Sequence, residues 1–71
     1  MKQSVIHRES YMRDGVTYEI RVVKEGGGLW GRWTCTDCSD DGESSKKCLS
    51  VEDAVAVAKS NLRLHHIRNH Q

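Results

Sequence analysis

Apolar and polar positions along the chain fall into stretches of period two, followed by one stretch of period three to four. Val16-Thr17-Tyr18-Glu19-Ile20-Arg21-Val22 alternates without a fault and puts Val16, Tyr18, Ile20 and Val22 on one face of a strand. Ahead of it, segment 4–12 is mixed but contains β-formers, and Arg13-Asp14-Gly15 supplies a tight turn because glycine tolerates positive φ. Behind it, Glu25-Gly26-Gly27-Gly28 cannot hold extended structure cheaply and predicts a second turn. Leu29 to Thr36 alternates again, sending Leu29, Trp33 and Cys35 toward the core and Trp30, Arg32, Thr34 and Thr36 to the opposite face.

Strands are therefore expected over 4–12, 16–24 and 29–37, then a polar, Ser- and Asp-rich loop over 38–49 in which Lys46 to Leu49 could add a short strand. A helix is expected over 50–67. Ser50 can cap its free amides, Asp53 sits at the capping-box position, and Glu52 and Asp53 suit the positive end of the helix dipole. Val51, Ala54, Val55, Ala58, Leu62 and His65 recur at spacings of three and four and form one apolar stripe. Val57 and Leu64, off that stripe, either widen the buried face or contact another subunit. The expected fold is α+β in the order β-β-β-α, one domain over 1–71: a three-stranded antiparallel sheet with the C-terminal helix packed on one face. Its expected core is Val16, Tyr18, Ile20, Val22, Leu29, Trp33, Val51, Val55, Ala58 and Leu62.

Size sharpens what to look for. A chain of 71 residues holds one small core, and scaffolds of this length seldom draw more than about 3–5 kcal/mol from a core alone. A metal, a disulfide or a partner subunit is the usual supplement. Eleven basic and ten acidic residues are interleaved to a net charge of +1, which creates no long-range field to gather polyanions. No window approaches the ~18–20 apolar residues that cross a bilayer, and the start Met1-Lys2-Gln3-Ser4-Val5-Ile6 has no signal-like run. The expectation is a cytoplasmic protein away from membranes, with Cys35, Cys38 and Cys48 reduced.

Cys35-x-x-Cys38 is the sharpest chemical feature, with Cys48 further on and His65, His66 and His70 near the end. Two thiolates at this spacing suit one zinc ion, and His66 and His70 stand four apart on a helix, so both rings can point one way. If the helix runs antiparallel to the third strand, however, it carries the histidines ~24 Å from the cysteine end. On that geometry the candidate ligands are Cys35, Cys38 and Cys48, with Asp37, Asp40 or an unplaced histidine as the fourth. Two other readings of the thiols stand beside zinc: a core cysteine with two loop thiols, and a redox dithiol. The histidine-rich end can equally be frayed and solvated. No Ser/His/Asp or Cys/His arrangement assembles from the pattern, and Gly26-Gly27-Gly28 precedes a strand rather than a helix, so no enzyme activity is expected.

The second feature is the open face of the sheet, where Trp30 and Arg32 lie with Arg21 and Glu19 from the neighbouring strand. Trp30-Gly31-Arg32-Trp33, a polar turn, Lys46-Lys47 and then Ser50-Val51-Glu52-Asp53-Ala54 resemble the three-strand-plus-helix DNA-binding domain of plant ethylene-response factors and phage-type integrases. The likeness covers roughly Leu29 to Ala58. It implies a sheet that enters the major groove through Arg21, Trp30, Arg32 and Arg8. The near-zero charge and the acids Asp37, Asp40, Asp41 and Glu43 work against the phosphate contacts on which such binding rests. The leading expectation is a non-enzymatic interaction module that uses the open face for a protein partner or for self-association; a DNA-binding module and a small zinc-binding protein are the alternatives.

Overall fold

The computed structural model describes residues 4–70, so the reading of the chain start at Met1 to Gln3 lies outside the described residues. Four strands form one antiparallel sheet in the order β1-β2-β3-β4, with β1 Ser4–Arg13, β2 Val16–Glu25, β3 Gly28–Cys35 and β4 Asp41–Glu43. Among the described residues one helix, α1 Val51–Asn69, follows the sheet. Both hairpin turns are two-residue turns with left-handed backbone at each position, Asp14-Gly15 (φ 49° and 81°) and Gly26-Gly27 (φ 60° and 77°). That handedness matches the twist of the strands they join.

The sheet has four strands where the sequence pattern predicts three. Asp41-Gly42-Glu43 contains no strong β-former, yet Arg32 pairs with Glu43, Trp33 with Gly42 and Thr34 with Asp41. The edge of β3 supplies the hydrogen bonds, and Gly42 supplies room: a β-carbon there would meet the Trp33 indole at 2.6 Å. Pairing and packing override propensity here. Further on, Leu29 and Cys48 exchange backbone hydrogen bonds of 3.0 and 2.9 Å as an isolated bridge. The segment after β3 thus runs back along it and delivers the chain to the Leu29 end before the helix begins.

This return fixes the helix direction. Ser50 caps α1, its hydroxyl accepting from the Asp53 amide at 3.1 Å. From there α1 runs alongside β3 in the same direction. Ala54 and Ala58 lie over Gly31, Ala58 and Leu62 share a core cluster with Trp33 and Cys35, and His65 and His70 end beside Trp33 and Cys35. The assumption of an antiparallel helix is therefore corrected. A strand of β3's length rises roughly 26 Å and the helix roughly 28 Å, so the two finish together.

Buried positions on α1 are Ala54, Ala58, Leu62 and His66, a strict spacing of four. The core joins Val16, Tyr18, Ile20, Trp33, Cys35, Ala58 and Leu62 to a second cluster of Val22, Cys48 and Ala54, with Val55 touching both. Leu29, Val51 and Val55 are only partly buried. Val57 packs on the second cluster, whereas Leu64 is 58% exposed. A β-carbon at Gly31 would overlap the Ala54 carbonyl oxygen and press on Ala58 Cβ at 3.1 Å. Because backbone blocks one side, Gly31→Ala is expected to destabilise the fold by about 1–3 kcal/mol, and Leu64→Ala by less than about 0.5 kcal/mol. Urea unfolding of the two variants checks this.

Candidate metal centre

The end of β3 and its turn carry two thiols. Cys35 closes the strand and is fully buried, Cys38 sits exposed in the turn, and Ser39 takes a left-handed conformation (φ 62°) that swings the chain into β4. Backbone bonds tie the turn at both ends: the Cys35 amide donates to the Asp40 carbonyl at 2.7 Å and the Ser39 amide to the Cys35 carbonyl at 3.0 Å. The Asp40 amide donates to the Cys38 sulfur and draws its pKa down, but desolvation and the adjoining Cys35 thiol outweigh it, and the net direction is upward. Two neighbouring thiols disfavour the thiolate in this way, because a charge on one opposes a charge on the other.

The end of α1 brings two imidazoles to the same place. His65 Nε2 lies 3.3 Å from Cys38 Sγ, and His70 Nε2 lies 3.5 Å from Cys35 Sγ and 3.8 Å from Cys38 Sγ. One ligand atom from each of Cys35, Cys38, His65 and His70 falls within 4.8 Å of the other three. A tetrahedral zinc with Zn–S of about 2.3 Å and Zn–N of about 2.0–2.1 Å has S···N edges of roughly 3.6 Å. The observed separations bracket that value.

The pairing His65 with His70 is unexpected for a straight helix, where residues five apart point in different directions. The helix solves this by ending. His70 is its C-cap, with non-helical φ −130° and ψ 9°, and its amide still donates to the His66 carbonyl at 2.8 Å. His65 is held from its other sides by Trp33, at 4.9 Å between ring centroids, and by Asp40, whose carboxylate stands 3.5 Å from Nδ1.

His66, the residue paired with His70 in the sequence reading, points away from the sulfurs. Its ring is fully buried, accepts from the Tyr18 hydroxyl at 2.8 Å through Nδ1 and donates through Nε2 to Asp14 at 3.0 Å. Burial, aided by the nearby Cys35 and Cys38, pushes the Tyr18 hydroxyl up to about 12, so it remains a donor. His66 thereby fastens the end of α1 to β2 and to the β1–β2 turn. Cys48 lies at the other end of β3, opposite Leu29 and in the cluster with Val22 and Ala54, and is absent from the four-residue group. The structure thus corrects the ~24 Å separation of cysteines and histidines, and brings His65 and His70 to Cys35 and Cys38 where the sequence-based candidates were Cys48 with Asp37, Asp40 or an unplaced histidine. The one signal available beforehand was the His65-x₄-His70 spacing, within the range found in zinc sites.

The open face carries Glu19, Arg21, Trp30 and Arg32 together. Arg8, Arg21 and Arg32 stand opposite one another across three strands, as do Val23 and Trp30. Arg21 is paired with Glu19 at 3.5 Å and donates to Thr34 at 3.1 Å, and Arg32 is paired with Glu43 at 3.5 Å. Trp30 is half-buried, and its indole N–H donates to the Glu25 carbonyl at 3.1 Å. Among the described residues, no helix is long and apolar enough to cross a membrane. No family model matches the chain, and neither a curated protein nor a solved structure matches it.

Tyr18→Phe leaves His66 Nδ1 buried without its donor and is expected to cost about 1–3 kcal/mol. The tyrosine's folded-state value lies above the ~10 of an unfolded chain. Its contribution is therefore complete below pH ~10 and declines as pH rises toward 12, and the Phe variant lacks that decline. Chemical unfolding across this pH range measures both.

Proposed function

We propose that this chain is a small zinc-binding interaction module whose ion is held by Cys35, Cys38, His65 and His70. The observation that carries the reading is the convergence of two thiols and two imidazoles at separations that suit a tetrahedral zinc. Four protein ligands complete the coordination of zinc, which is the mark of a structural rather than a catalytic ion. Size supports the same conclusion. Structural zinc contributes about 10–16 kcal/mol in small peptides, against the ~3–5 kcal/mol a core of this size supplies. The ion would join the β3–β4 turn to the end of α1, and the role proposed for the protein is binding, not catalysis.

Metal analysis of protein purified without chelator is expected to find one zinc per chain. Cys38→Ser and His70→Ala should lower zinc affinity by more than the roughly 100-fold that loss of an outer hydrogen-bond partner produces. Cys48→Ala should keep full stoichiometry. Native protein without metal, or equal zinc loss in the Cys48 variant, would remove the proposal.

For the surface that does the binding, the open face is the leading candidate, with a protein partner or a second copy as its occupant. Its arginines are matched by Glu19, Glu43 and Asp41 on the same face, a mixed pattern that favours a mixed-charge surface. Duplex DNA is the second reading, favoured by the row Arg8, Arg21 and Arg32. If DNA is the ligand, retention on duplex at about 50 mM salt should fall with added salt, and Arg21→Ala should reduce the salt slope by about one. No retention at low salt assigns the face to protein.

A further inference from the structure

We propose that Asp40 and Asn69 set the metal affinity of this centre in opposite directions, by competing for the Nδ1 atom of His65; the inference rests on the zinc reading above. His65 faces Cys38 with Nε2, the nitrogen that would take the ion. A nitrogen bound to metal carries no hydrogen, so the neutral ring must hold its proton on Nδ1. Two side chains stand at that atom, and they ask for opposite tautomers.

Asn69 lies with its amide nitrogen 3.0 Å from the His65 carbonyl oxygen and 3.2 Å from Nδ1. The carbonyl accepts only, which fixes the amide with its nitrogen inward. One hydrogen goes to the carbonyl and the other points at Nδ1, where it needs a lone pair. That arrangement puts the ring proton on Nε2, between the ring and Cys38, where it blocks the metal. Asp40 makes the reverse demand. Its carboxylate, 3.5 Å from Nδ1, can only accept, so it favours the proton on Nδ1 and leaves Nε2 free to coordinate.

Asp40 is placed for this by its own backbone, which accepts from the Cys35 amide and donates to the Cys38 sulfur. One residue therefore touches three of the four ligands. Replacing its side chain leaves the two backbone contacts in place and tests the carboxylate alone. The carboxylate is 63% exposed, so its effect belongs at the lower end of the 10- to 100-fold typical of such partners.

The test titrates zinc chloride into the metal-free full chain against a chromogenic chelator. Asp40→Ala is expected to weaken zinc about tenfold, and Asp40→Asn by less, since an amide oxygen still accepts. Asn69→Ala is expected to tighten zinc by about two- to tenfold. Nitrogen NMR of the metal-free protein should show the His65 proton on Nε2 in the native chain and shifted toward Nδ1 in Asn69→Ala, a change that helix stabilisation by alanine would not produce. If the native chain binds zinc and both alanine variants stay within about twofold of it, or move in the same direction, the inference falls and the zinc reading stands. A native chain that takes no zinc overturns both.

Discussion

The contact between Gly31 and Ala54 decides how closely the helix lies on the sheet, and the cluster of Cys35, Cys38, His65 and His70 depends on that distance. With no side chain at Gly31 and small ones at Ala54 and Ala58, α1 approaches β3 until backbone meets backbone. At the far end, Leu62 and His66 are larger, and the space there is filled by Tyr18, Trp33 and the His65 ring. A helix held further out would lift both imidazoles from the sulfurs together. The arrangement of the four side chains is thus set by packing upstream of them in β3 and α1, before any ligand chemistry enters.

Local signals made most of the architecture legible. Alternation from Val16 to Val22, the Asp14-Gly15 and glycine turns, and the Ser50 cap each act over a few residues, and each appears in the structure where the pattern places it. What the pattern did not contain was the path between β3 and α1. Asp41-Gly42-Glu43 reads as loop because its extended form comes from the β3 edge and from the Trp33 ring above Gly42, both remote in sequence. Without that returning strand the helix direction is undetermined, and with the wrong direction the histidines fall at the wrong end. The missed three-residue strand accounts for placing the histidines away from the cysteines.

The histidines carry a second lesson. On an ideal helix, His66 and His70 share a face, and a ligand search by spacing selects them. The structure divides the cluster differently: His66 turns inward to Tyr18 and Asp14, while His65 and His70 turn to the thiols. Burial explains the division. His66 continues the stripe of Ala54, Ala58 and Leu62, and a buried imidazole needs a partner on each nitrogen, which Tyr18 and Asp14 provide. A ring so committed has no lone pair left for an ion.

Anchoring His66 also shapes what the neighbouring ligands can do. It holds the last full turn of α1 against β2 and so presents His65 to Cys38, while His70 lies beyond the helical backbone. Cys35, Cys38 and His65 are then positioned by fold and hydrogen bonds, and His70 completes the cluster. Such a cluster would lose little conformational entropy on taking up an ion, because the β3–β4 turn and the helix are already ordered. An ion held there would also relieve the mutual disfavour of the two thiols for the charged form. In a chain this small, an ion at that point would tie the β3–β4 turn to the end of α1, on the face of the sheet opposite Arg21, Trp30 and Arg32.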